Sequence, residues 1–292
     1  MTVTSTTVSD LQPPGSQVPL PEYVRRLWKM RHYAIVVGKA RVESSNAATS
    51  LGKFWLVGEP LLFIAVYGTI FGVILDVDRG VENFIGFLAS GQILYRHCAQ
   101  SMQNAGQSMA IFAGQIQTMP VPRALFPISS VTTSFFTQVP SFAVMLVILA
   151  FTGSSPQLSW VFIVPVIGGQ VLLNAGVGMI LARAVAHVPD LANVFTHIFR
   201  SLLYGSGVVF PIDGFLLDRQ NGELLIKLLT ALNPIYDYLA LGRWALMGDP
   251  PVFPMLAAVS VTAWSLGSLL IGLIWLRGVE QRYGFGQIRN AP

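Results

Sequence analysis

Few residues in this 292-residue chain could do chemistry, and two of them sit where charge is costly. Glu59 falls inside the apolar run "FWLVGEPLLFIAVYGTIF" (54–71), and Arg96 falls inside a second, at 84–102. Charges within a bilayer cost about 3 kcal/mol on insertion scales, so they usually face protein or water and find a partner. Counted from Lys53, Glu59 lies roughly 9 Å into its helix, and Arg96 lies roughly 9 Å from the end of its own near Met102. Two opposite charges at similar depth predict an ion pair joining the first two spans. The alternative is that each snorkels separately to the interface or lines a wet vestibule.

Other reactive groups are isolated. The histidines His32, His97, His187 and His197 are scattered without an HExxH pattern, and Cys98 is the only cysteine, so neither a metal site nor an intrachain disulfide is expected. The two Gly-Lys pairs, at 38–39 and 52–53, have Tyr33 and Ala47 where a phosphate-binding loop needs its first glycine. No GxSxG elbow is present, so an enzymatic reading has no residue to rest on. What stands out instead is an aromatic row. Trp55, Phe63, Tyr67 and Phe71 share a four-residue register with Glu59, giving a slowly turning strip about 24 Å long on a helix. Phe195, Phe199 and Tyr204 offer a second strip. Interface anchoring of Trp55 and ordinary helix packing are the competing explanations.

The elements that position these residues are membrane spans. The chain is 53% hydrophobic and 11% charged, whereas soluble domains are about a quarter charged. Apolar blocks near the roughly 20 residues a bilayer requires predict an all-α membrane protein with six transmembrane helices, at 54–75, 84–102, 126–151, 160–186, 194–212 and 253–277. Thirteen Lys and Arg residues fall on one side of that arrangement, seven of them between Arg25 and Lys53, against four (Arg79, Arg219, Lys227 and Arg243) on the other. Both termini are therefore expected in the cytoplasm of a multi-pass protein of the cytoplasmic membrane. The net charge of +4 is explained by topology, with no nucleic acid implied. Residues 1–20 read as a disordered cytoplasmic tail and 286–292 as another, flanking a transmembrane domain at 53–285. The segment 21–52 begins as a basic amphipathic helix suited to the membrane face and its lipids. The stretch 223–248, within a 211–252 segment too polar to cross, reads as two short helices broken at Asn233-Pro234, lying on or dipping into the outer face before the last span.

Three stretches in fixed order carry a resemblance. "SLGKFWLVGEPLL" (50–62), "VPRALFPISS" (121–130) and "ALNPIYDYLALGRWALMG" (231–248) resemble elements of ABC-2-type export permeases, with Val121 replacing the usual aromatic. The branch they are similar to exports lipid-linked polysaccharides such as O antigen, capsule, teichoic acid and galactan, and overall likeness is greatest to the actinobacterial galactan exporter permease.

The resemblance implies a homodimer bound to two copies of a separate nucleotide-binding ATPase. ATP and Mg would sit on that subunit, with no cofactor on this chain. It implies that 104–118, with Gln107, Gln115, Gln117, Pro122 and Arg123, couples to the ATPase. It also implies that Asn233, Pro234 and Arg243 gate the outer mouth, and that the aromatic strips line a channel for the lipid-linked polysaccharide. Aromatic faces cover the C–H faces of sugars without imposing strong directional bonds. The rival readings are a drug or lipid exporter of the same type, and an ATP-independent channel or scaffold for envelope synthesis.

Overall fold

The computed structural model describes residues 19–47, 52–74, 81–118 and 121–280, and these are helical with short connections. Of the expected tails at 1–20 and 286–292, residues 1–18 and 286–292 lie outside the described residues, while Leu20 already opens the first helix.

The N-terminal segment forms two helices, α1 (Leu20–Lys29) and α2 (Arg31–Ala47). Pro21 occupies the first turn of α1, where its missing N–H costs nothing. Tyr23 and Leu27, one turn apart, are buried, while Glu22 and Arg26 pair across the exposed face at 2.6 Å. Trp28 remains exposed, with the Arg31 guanidinium 5.0 Å from its ring centre. The segment does more than lie flat, because α2 packs lengthwise on α7 (Leu125–Phe151).

Next comes α3 (Gly52–Tyr67), which runs on through a π-helical stretch, Gly68–Ile74. It leads to α4 (Phe84–Gly106), the centre of the bundle, which contacts α3, α7, α8 (Ile163–His187), α9 (Leu191–Gly205) and α12 (Pro234–Met247). Leu88, Ile93 and Leu94 on α4 are fully buried and begin the main core. Two short helices, α5 (Ser108–Ile111) and α6 (Ala113–Thr118), follow α4. The last helix, α13 (Pro254–Glu280), packs along α8. A Cβ on Gly176 would fall 2.4 Å from the Leu269 nitrogen, so the two backbones touch as small residues allow in membrane bundles.

Among the described residues, four helices are long and apolar enough to cross a membrane, at 57–74, 125–151, 158–187 and 254–278. A fifth is possible if α11 (Gly222–Leu232) and α12, bent by 102°, make one broken span. The other two expected spans differ for separate reasons. The 84–102 stretch lies within the 23-residue helix α4, but Gln92, Arg96, His97, Gln100, Gln103 and Asn104 lower that helix's apolarity. Because α7, α8 and α12 surround it, little of α4 needs to suit lipid. The 194–212 stretch stops being helical at Gly205, so α9 has 15 residues and reaches about 22 Å, short of a 30 Å hydrocarbon core.

Candidate functional site

The aromatic row on α3 is a continuous stack. The Phe63 and Tyr67 rings lie 4.1 Å apart at 19°, and the Tyr67 and Phe71 rings lie 6.0 Å apart at 6°. In an α-helix, side chains four apart drift around the axis; the π stretch from Gly68 holds an extra residue per turn and reverses that drift, so Phe71 stays over Tyr67. All three rings are half-buried against the core that contains Tyr95 and Phe199. The Tyr67 hydroxyl lies 3.4 Å from that of Tyr204 on α9. The two aromatic strips are thereby brought together, and Tyr95 locks the seam by donating its hydroxyl to the Phe199 carbonyl. Phe195 packs partly buried on the same core, whereas Trp55 is exposed and touches Phe54 edge-on.

One turn before Phe63, the Arg96 Nη2 donates to Glu59 Oε2 at 2.5 Å. This ion pair adds a polar contact to the packing of α3 along α4. The Glu59 side chain is 57% exposed and that of Arg96 22% exposed, so the pair stands at an open edge of the chain.

At the end of α4 that carries α5 and α6, three regions distant in sequence converge. Tyr33 on α2 donates to Gln115 Oε1 at 2.8 Å, and burial raises the Tyr33 phenol above its ordinary range. The Arg41 guanidinium lies 4.6 Å from the ring centre of Phe112, which packs on Phe126. The Ala124 N–H donates to the Tyr23 hydroxyl at 3.3 Å, so α1 braces the turn containing Pro122 and Arg123. Gln107 caps the end of α4, exposed, and Gln117 falls in α6. Tyr33 and Arg41 had not been singled out from the sequence, although their eight-residue spacing places them on one helix face.

The opposite end holds the re-entrant bend. Asn233 accepts from the Tyr236 N–H at 3.3 Å, capping α12, and donates to the Ser206 hydroxyl at 2.9 Å. Pro234 starts α12 as its first residue, and Gly248, at φ 86°, ends it in the left-handed conformation that glycine tolerates. Arg243 points from α12 to the Phe87 ring, 3.5 Å from its centre, and its Nη2 donates to the carbonyls of Gly207 at 2.9 Å and Phe87 at 3.2 Å. Beside it opens a cavity of about 670 Å³ that also contacts Glu82, Asp213, Tyr236 and Asp249. Tyr236 donates its hydroxyl to Asp213. Burial raises the Asp213 carboxyl above the usual range, against the opposing pull of that hydrogen bond and of Arg243. Asp249 is raised by burial and by Glu82, again opposed by Arg243.

The chain matches no family model. Among known proteins it is 30% identical over 180 residues to the O-antigen export system permease protein RfbA of Klebsiella pneumoniae, covering 61% of this chain and 69% of that protein. A second Klebsiella pneumoniae protein of that name is 27% identical over the same coverage. The protein of that name from Myxococcus xanthus is 22% identical over 247 residues, 84% of this chain and 94% of the relative.

Proposed function

This chain belongs to the family of O-antigen export system permeases, of the ABC-2 type, and from that membership we propose that it forms the channel of an ATP-driven exporter. The cargo is a lipid-linked polysaccharide bound for the cell envelope. Two copies of the chain enclose the path, and two copies of a separate ATPase subunit open and close it. Both termini lie in the cytoplasm, and α4, together with α9 and the non-helical stretch 206–210 that extends it, completes a six-pass domain with the broken α11–α12 pair at the outer face.

The observation that carries this reading is the stack of Phe63, Tyr67 and Phe71 meeting Tyr204 across α3 and α9. A hydrated polymer cannot cross hydrocarbon with its hydroxyls unpaired, so it needs a protein-lined route. Half-buried aromatic edges give such a route a firm wall that a chain of sugars can slide along, with the Tyr67 and Tyr204 hydroxyls as polar handles. At its cytoplasmic end, the exposed side of Glu59 faces a wet entrance and not lipid, where a carboxylate paired with Arg96 is tolerable. The convergence of Tyr33, Gln115 and Arg41 supports α5 and α6 as the element that meets the ATPase. Movement of that element reaches α4, and through Arg96 it reaches α3. Asn233 and Arg243 tie the outer bend to the segment 205–208 and so to the outlet.

Depletion of the protein tests the reading. Lipid-linked glycan should accumulate inside the cell while surface glycan declines. Undiminished surface glycan without internal accumulation would overturn it.

A further inference from the structure

The cavity beside Arg243 is larger than a gate requires, and its walls are polar. Its volume of about 670 Å³ lies in the range of ligand pockets, roughly 300–1,000 Å³. Arg243 is pinned by the carbonyls of Phe87 and Gly207 and by the Phe87 ring, so its guanidinium is held in place before any ligand arrives. Its Nε is buried with no hydrogen-bond partner, a donor the protein itself leaves unsatisfied. The opposite wall is equally set, since Asn83 donates to the Ser154 hydroxyl at 3.0 Å and accepts from the Gly86 N–H at 2.8 Å.

The charges select the ligand. Among the described residues, Glu82, Asp213 and Asp249 line the cavity against a single arginine, which disfavours a phosphate or any other anion. Among the described residues these acids do not form a group able to hold a metal ion. Hydroxyl groups suit the site, because each one both donates to a carboxylate and accepts from a guanidinium. A ring bearing several hydroxyls and no charge satisfies both walls at once.

We propose that this cavity is a glycan-binding site in which Arg243 and Asp249 grip the hydroxyls of an uncharged sugar ring at the outer mouth of each protomer. It rests on the export reading for the presence of sugar at this face. A ring held here would oppose back-sliding while the channel resets.

Saturation-transfer NMR on the full-length permease in lipid nanodiscs tests the site, with methyl β-galactoside, methyl α-mannoside and lactose as probes and inorganic phosphate as competitor. At least one glycoside should receive saturation, should resist phosphate, and should bind about tenfold more weakly to Arg243→Lys and to Asp249→Asn, as expected for one lost charge-assisted hydrogen bond. Asp249 is exposed at the rim, so its variant decides the matter if Arg243→Lys fails to fold. No transfer from any of the three probes, equal transfer in a folded variant, or displacement by phosphate would overturn the proposal. Depletion reads the export function separately: absent glycoside binding with internal glycan accumulation removes the site alone, and binding without accumulation removes the export reading alone.

Discussion

Two arginines of this permease are held in opposite ways. Arg96 reaches across from α4 to one carboxylate on α3, Glu59, at an edge that is largely exposed. Arg243 makes its hydrogen bonds to backbone carbonyls of α4 and of the 207–208 turn, and lies flat against the Phe87 ring. A lone ion pair joins two helices by a contact that can be parted or exchanged. Several carbonyls and an aromatic face fix an arginine in one place. The contrast assigns the freer contact to the Glu59–Arg96 edge of α3 and rigidity to the frame around α12.

The largest effect is expected where the frame is cut. Arg243→Ala leaves the carbonyls of Phe87 and Gly207 without their charged donor, so thermal unfolding in nanodiscs should show a loss of about 3 kcal/mol, with export falling to background. No charge swap at Asp213 or Asp249 should restore it; rescue by such a swap would break the contrast, because it would make Arg243 an ordinary ion-pair partner.

Next come the reversals of the inner pair. Glu59→Arg or Arg96→Glu alone sets like charges together across the α3–α4 contact and should cut export about tenfold or more, while the double reversal should recover most of it. Full activity in both single variants would remove the pair from the account. The aromatic seam follows: Tyr67→Ala should slow export several-fold in a surface-glycan pulse assay, while Tyr67→Phe keeps the ring face and loses little. The smallest effect is at the ATPase end, where Tyr33→Phe removes one neutral hydrogen bond to Gln115, worth about 1 kcal/mol. Its reading is a modest drop in export per ATP hydrolysed, with the protein still inserted.

Features set by local periodicity or a single turn were legible in the chain. The break at Asn233-Pro234 follows from proline after a capping asparagine, and the depth of Glu59 and Arg96 could be counted along two helices; the structure sets these side chains 2.5 Å apart. Hydrophobic blocks likewise announced an all-helical membrane fold. Other features depend on tertiary assembly and leave no local mark. The helical end at Gly205 was hidden because "SGVVFP" continues apolar beyond it, although Ser206 to Phe210 leave the helix and Val208 and Val209 fill the core. The outer cavity draws on residues near 82, 153, 212, 236 and 249, so no window of sequence contains it. The bracing of 112–124 by Tyr23, Tyr33 and Arg41 is long-range for the same reason.

The central claim is that the α3 and α9 aromatic seam touches sugar during export. Site-specific photo-crosslinking reads this directly, with p-benzoylphenylalanine placed at Phe63 or Tyr67 and, as the control, at Val73, which is 78% exposed. Illumination of exporting cells fed radiolabelled sugar should attach labelled glycan at Phe63 and Tyr67 but not at Val73. Labelling confined to lipid, or equal glycan labelling at all three positions, would contradict the account.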